Sequence, residues 1–124
     1  MSLPLEGLRI LVIEDEFLIA LDMEQLCSDN GAATVAIVSR MVSPQDLPDC
    51  DVAILDLKLS GVSTVPLAQH LRQRGVPFVL VSGYQDRDEI SRQFPGAPVL
   101  PKPYMPEDLL SAVASLAARP GSDL

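Results

Sequence analysis

The stretch Arg9-Ile10-Leu11-Val12-Ile13-Glu14-Asp15-Glu16 decides the fold of this chain. Four branched aliphatic residues follow one another with no polar alternation, the pattern of a strand buried on both faces of a parallel sheet. The run then stops on three acids. Two further runs repeat the design: Val52-Ala53-Ile54-Leu55 ends on Asp56, and Leu100-Pro101 ends on Lys102, which Pro103 follows. In an open α/β sheet, ligands bind beyond the carboxyl ends of the parallel strands. Polar groups placed where apolar runs stop are therefore candidates for a site.

Outward from these runs, strand and helix patterns alternate. Ile19, Ala20, Met23, Leu26 and Cys27 recur at helical intervals, and Asn30-Gly31 supplies a stop. A second strand is expected over 33–38. Residues 40–50 hold two prolines and little periodicity, leaving room only for a short helix at 43–47. A third strand spans 51–56, and Leu59-Ser60-Gly61 reads as a loop. The helix over 65–74 turns Leu67, Ala68 and Leu71 inward, and Pro66 fits because it lies in the first turn. A fourth strand is expected over 77–82, a short helix over 86–93 broken by Pro95-Gly96, and a brief fifth strand over 97–100. The last helix opens at Pro106-Glu107-Asp108, acids at its positive end, and carries Leu109, Leu110, Val113, Leu116 and Ala117. Five strands alternating with helices imply one α/β domain over 1–124, a parallel sheet covered on both faces. Its core is expected over about 8–118, with 119–124 a frayed tail.

The 124 residues are 48% hydrophobic and only 4% aromatic, so the core is aliphatic. Nine basic against 17 acidic residues give a net charge of −8. Nucleic acid is engaged through clustered lysine and arginine, which are missing here, and the same balance argues against anionic membrane surfaces. No apolar run approaches the length of a membrane span and no signal peptide is visible, so the expected location is cytoplasmic. Cys27 lies on the apolar stripe of the first helix and Cys50 just before a strand; both read as reduced structural thiols. No Cys/His spacing suits zinc.

A phosphate-binding loop after a first strand is built of Gly, Ser or Thr, whose backbone amides hold the anion. Glu14-Asp15-Glu16 would repel a phosphate unless a metal intervened. The plainer alternative is that these acids favour the positive end of the first helix, and Glu16 reads as doing only that. Asp56 cannot be explained so. If the strands are neighbours, carboxylates gather with one lysine, an arrangement that calls for a proton, the lysine or a hard divalent cation. Mg²⁺ (or Mn²⁺) takes one or two protein carboxylates and keeps waters. Asp15 and Asp56 supply those, the backbone carbonyl of Lys58 a third contact, and Glu14 acts through water. A free Asp56 oxygen can then attack phosphorus to form an acyl phosphate, while the metal, the Lys102 ammonium and the Ser82 hydroxyl take the phosphoryl oxygens.

Ile-Glu-Asp-Glu, Leu-Asp-Leu, Val-Ser-Gly-Tyr and Pro-Lys-Pro, in that order, resemble the receiver domain of two-component response regulators over residues 8–118. The resemblance implies a doubly wound, CheY-like sheet in the order 2-1-3-4-5. It makes Asp56 the phosphoacceptor, Glu14 and Asp15 the acid pair for Mg²⁺, Ser82 the switch hydroxyl and Lys102 its ion-pair partner. It also implies a cis peptide at Lys102-Pro103. The implied partners are a sensor histidine kinase or histidine phosphotransfer protein as donor, and a downstream protein met through the fourth helix, fifth strand and fifth helix. A second copy of the chain is a further candidate.

The chain departs from the family pattern in three places. Val99 stands where most receivers carry an aromatic three residues before the lysine, Gly83 replaces the usual alanine after the switch hydroxyl, and the second helix is truncated. Phe78 to Tyr84 partly matches a subset of stand-alone receivers that carry a Thr-Gly-Tyr motif, lack that aromatic and rely on a mobile fourth helix. Tyr104 reads as packing, Tyr84 as packing or signalling, and His70 as a surface residue. Three other functions remain in view. One is a receiver belonging to a longer regulator or hybrid kinase, and another a pseudo-receiver that only binds. The third is an aspartate-nucleophile phosphatase, which needs an acid two residues after the nucleophile, where this chain has Lys58.

Overall fold

The computed structural model describes residues 2–83 and 87–118. In chain order the elements are β1 (Arg9–Ile13), α1 (Phe17–Asp29), β2 (Thr34–Val38), a 3-10 turn (Pro44–Asp46) and β3 (Val52–Asp56). There follow the short strands β4 (Lys58–Leu59) and β5 (Val62–Ser63), α2 (Val65–Gln73), β6 (Phe78–Ser82), α3 (Arg87–Gln93), β7 (Val99–Pro101) and α4 (Pro106–Ala117). Five strands form one sheet in the order β2-β1-β3-β6-β7, and every pairing in it is parallel. With the β4–β5 ribbon set aside, this is the expected order 2-1-3-4-5.

Side chains of a strand alternate between faces, and here the alternation divides the core in two. Leu11, Ile13, Ala53, Leu55 and Leu80 pack with Leu67, Ala68 and Leu71 of α2 and Ile90 and Phe94 beside α3. Ile10, Val12, Val52, Ile54, Val79 and Val81 pack with Ala20, Met23 and Cys27 of α1 and Leu109, Val113 and Leu116 of α4. The three central strands are buried on both faces, while β2 at the edge is half open. That is why the central strands read as unbroken apolar runs. Phe78 and Phe94 meet edge to face at 5.6 Å between centroids. Cys27 and Cys50 are both buried and unbridged, and burial pushes each thiol up to about 11. Among the described residues no helix is long and apolar enough to cross a membrane.

Two local expectations are corrected. The helix expected over 43–47 is a single 3-10 turn, because Pro48 disfavours helical backbone at Leu47, which is extended at φ −66°, ψ 134°. The loop at 59–61 is the tip of a hairpin: Lys58 pairs with Ser63 and Leu59 with Val62, antiparallel. Ser60 (φ 49°) and Gly61 (φ 81°) supply the two positive φ values that a tight two-residue hairpin turn requires. The expected start of the short helix at Asp86, the tail 119–124 and Tyr84 lie outside the described residues.

Candidate functional site

The same alternation selects which polar groups meet. Ile10 and Val12 face α1 and α4, and Glu14 is the next position in that series just past β1. Val52 and Ile54 face the same way, and Asp56 continues them. Leu100 packs on this side, with Lys102 two residues on. Three polar groups, from β1, β3 and β7, thus leave the carboxyl edge on one side of the sheet, with β6 lying between β3 and β7.

Glu14, Asp15 and Asp56 each bring a carboxylate oxygen to within 4.8 Å of the other two. Asp56 is 6% exposed. Its Oδ2 accepts from Lys102 Nζ at 2.7 Å and its Oδ1 from the Lys58 amide at 3.2 Å. Glu14 is fully buried; its Oε2 accepts the Glu16 amide at 3.2 Å, and its Oε1 has no partner among the described residues. Burial pushes the Glu14 carboxyl up to about 7; the Glu16 amide opposes this and the charge of Asp56 reinforces it. Asp15 is held below the usual carboxylate range, chiefly by the Ser60 amide at 2.7 Å. Burial alone would weaken the Lys102 ammonium. The hydrogen bond to Asp56 and the charges of Asp56, Glu14 and Glu16 outweigh it and raise the lysine.

Charge arithmetic shows what this cluster needs. Two unit charges about 4 Å apart interact by about 4 kcal/mol at an effective dielectric of 20. One lysine cannot offset three carboxylates at such separations, so a proton on Glu14 or a divalent cation must relieve the rest. The donor set fits a hard cation: three carboxylates, one with an enclosed oxygen that no described group satisfies.

Ser82 ends β6 on the opposite side of the strand alternation. Its hydroxyl is buried and without a partner among the described residues, while its carbonyl accepts the Lys102 amide at 2.8 Å. The Lys102-Pro103 peptide is cis, as the resemblance implies. Lys58 enters through its amide on Asp56, its side chain exposed. Glu16 does not cap α1 with its side chain; Glu14 takes the Glu16 amide instead. Val99, in place of the aromatic, packs partly buried against the α2–α3 side of the core.

Tyr104 packs partly buried on the α1–α4 side, its hydroxyl pushed up to about 12 by burial and by the nearby acids. His70 is not a plain surface residue. It is half-buried on α2 with Nε2 enclosed and unpartnered among the described residues, beside a cavity of about 280 Å³ shared with Arg9, Cys50 and Arg74. That cavity is at the amino end of the sheet, far from Asp56. Sequence reasoning missed Ser60 and Thr64. Thr64 is fully buried and donates its hydroxyl to the Asp56 carbonyl at 2.7 Å. The signal for Ser60 was available: Ser-Gly between Leu59 and Val62 is a two-residue hairpin turn.

No family model matches the chain. It is 26% identical over 117 residues to the transcriptional regulatory protein PdtaR of Mycobacterium tuberculosis, covering 90% of this chain and 57% of that protein. The chain therefore spans a little over half the length of the curated relatives it matches. Among solved structures it resembles a response regulator receiver protein from Sinorhizobium medicae. There the TM-score is 0.78 at 26% identity, over 91% of this chain and 96% of that one. A response regulator receiver domain protein from Clostridium thermocellum matches with a TM-score of 0.75 at 24% identity, over 94% and 98%. The fold is the CheY-like receiver fold, and the resemblance read from the four motifs holds.

Proposed function

We propose that this domain is a phosphoacceptor in a two-component relay, taking a phosphoryl group from a phosphohistidine onto Asp56 and changing a protein–protein surface in consequence. The observation that carries the reading is the buried Asp56 carboxylate, bonded to Lys102 at 2.7 Å with Glu14 and Asp15 beside it. Glu14, Asp15, Asp56 and the Lys58 carbonyl would hold Mg²⁺ or Mn²⁺. When bound, the cation neutralises carboxylate charge and phosphoryl charge together.

An Asp56 oxygen forms the new O–P bond as the N–P bond of the phosphoimidazole breaks, and the imidazole leaves with the bonding pair. Lys102 moves from the carboxylate to a phosphoryl oxygen, and the buried Ser82 hydroxyl donates to another. The domain acts on itself rather than turning over a free substrate. The donor is a sensor histidine kinase or a histidine phosphotransfer protein. Phe17 and Leu18, each 73% exposed in the first turn of α1, give it an apolar surface beside the acids.

Incubation with acetyl phosphate and Mg²⁺ should add one phosphoryl group, read by intact-protein mass spectrometry, and Asp56→Asn should abolish it. A wild-type chain that binds Mg²⁺ yet never gains the group would instead be a pseudo-receiver.

A further inference from the structure

The hairpin β4–β5 holds at once the acid that follows β1 and the acid that ends β3. At its tip, the Ser60 amide donates to Asp15 Oδ2 at 2.7 Å, and the Ser60 hydroxyl reaches the same oxygen at 3.3 Å. At its base, the Lys58 amide donates to the Asp56 carboxylate and the Thr64 hydroxyl to the Asp56 carbonyl. The Thr64 amide closes the loop on the Leu57 carbonyl at 2.8 Å, and Leu59 between them is buried. Residues 58–64 thus tie the acid after β1 to the acid at the end of β3.

We infer that Ser60 is a positioning residue for Asp15, its backbone amide holding that carboxylate where it can share a cation with Glu14 and Asp56. The inference rests on the metal-site reading above. Asp15 is partly open to water and lies beside two other carboxylates, so rotation of its side chain into solvent would relieve the repulsion. A backbone donor on a carboxylate is a charge-assisted bond, and it opposes that rotation. The donor is presented only while Ser60 stays left-handed at φ 49°. Glycine adopts that conformation freely, and β-branched residues resist it. The residue at position 60 therefore acts on the cation through its backbone.

The test is Mn²⁺ titration of the full chain, read from the paramagnetic resonance signal of free Mn²⁺, with metal-free melting measured in parallel. Ser60→Gly should bind Mn²⁺ within about twofold of wild type, whereas Ser60→Val should bind roughly tenfold more weakly, the usual scale for loss of an outer-sphere partner. If the valine variant does not fold, Ser60→Ala carries the comparison, with a smaller loss expected. Equal affinities in all variants, with only the metal-free melting point moved, would make the hairpin merely structural and overturn the inference while leaving the metal site intact. A glycine variant as weak as valine would assign the effect to the hydroxyl and overturn the backbone argument. Wild type that binds no Mn²⁺ would overturn the inference and the metal-site reading together.

Discussion

At the amino end of the sheet Arg9 meets Asp51 and Arg74 meets Asp49, both at 3.1 Å, each pair one-to-one and open to water. At the carboxyl end three carboxylates converge and, among the described residues, Lys102 is the cation bonded to them. Solvated pairs contribute little to stability and are screened by salt. A buried, under-neutralised cluster is costly, and a fold retains such a cost where chemistry uses it. The same residue types thus have different meanings at the two ends, and burial and charge balance separate them.

The largest effect should be metal-linked stability. Mg²⁺ at about 100 times its dissociation constant stabilises a folded state by about 2.7 kcal/mol, on the order of 10 °C in melting temperature for a domain of this size. Asp15→Asn should remove most of that shift, while Asp51→Asn at the other end should keep it. Equal shifts in both variants would break the contrast.

Next comes pH. Glu14 stands near 7 in the folded chain against an ordinary 4.5, so the metal-free fold binds its proton more tightly than the unfolded chain does. That contribution is fully present below about 4.5 and is lost as pH rises through about 7. Denaturant unfolding at a series of pH values in a chelator should show the decline, and Glu14→Gln should flatten it.

The smallest effect belongs to the amino end. Asp51 is held below the usual carboxylate range by its bonds from Arg9. Its contribution is therefore present above the ordinary carboxylate pKa and is lost as pH falls through the depressed value. Asp51→Asn should lower the melting point slightly at neutral pH and low salt, and not at all in molar salt. A salt-resistant loss would show that this pair is less solvated than its exposure implies.

Much of the fold was legible because the central strands are buried on both sides, which writes them as unbroken apolar runs with polar residues at their ends. Glu14, Asp15, Asp56, Ser82 and Lys102 were singled out as candidates in that way. The hairpin was not, although Ser60-Gly61 carried the turn signal, because two-residue strands leave no periodicity to read. Nor was the enclosure of His70, since one histidine on an amphipathic helix says nothing of what packs over it.

By itself, the sequence determined the alternation of strand and helix and the acids and lysine at the strand ends, because burial and backbone geometry act residue by residue. Only the tertiary structure decided that Lys102 rests on Asp56, that Glu14 keeps an enclosed oxygen, and that Ser60 reaches Asp15 across 45 positions of chain. Those relations depend on strand order and register, which the parallel pairing of β1, β3, β6 and β7 sets in space and no local stretch encodes.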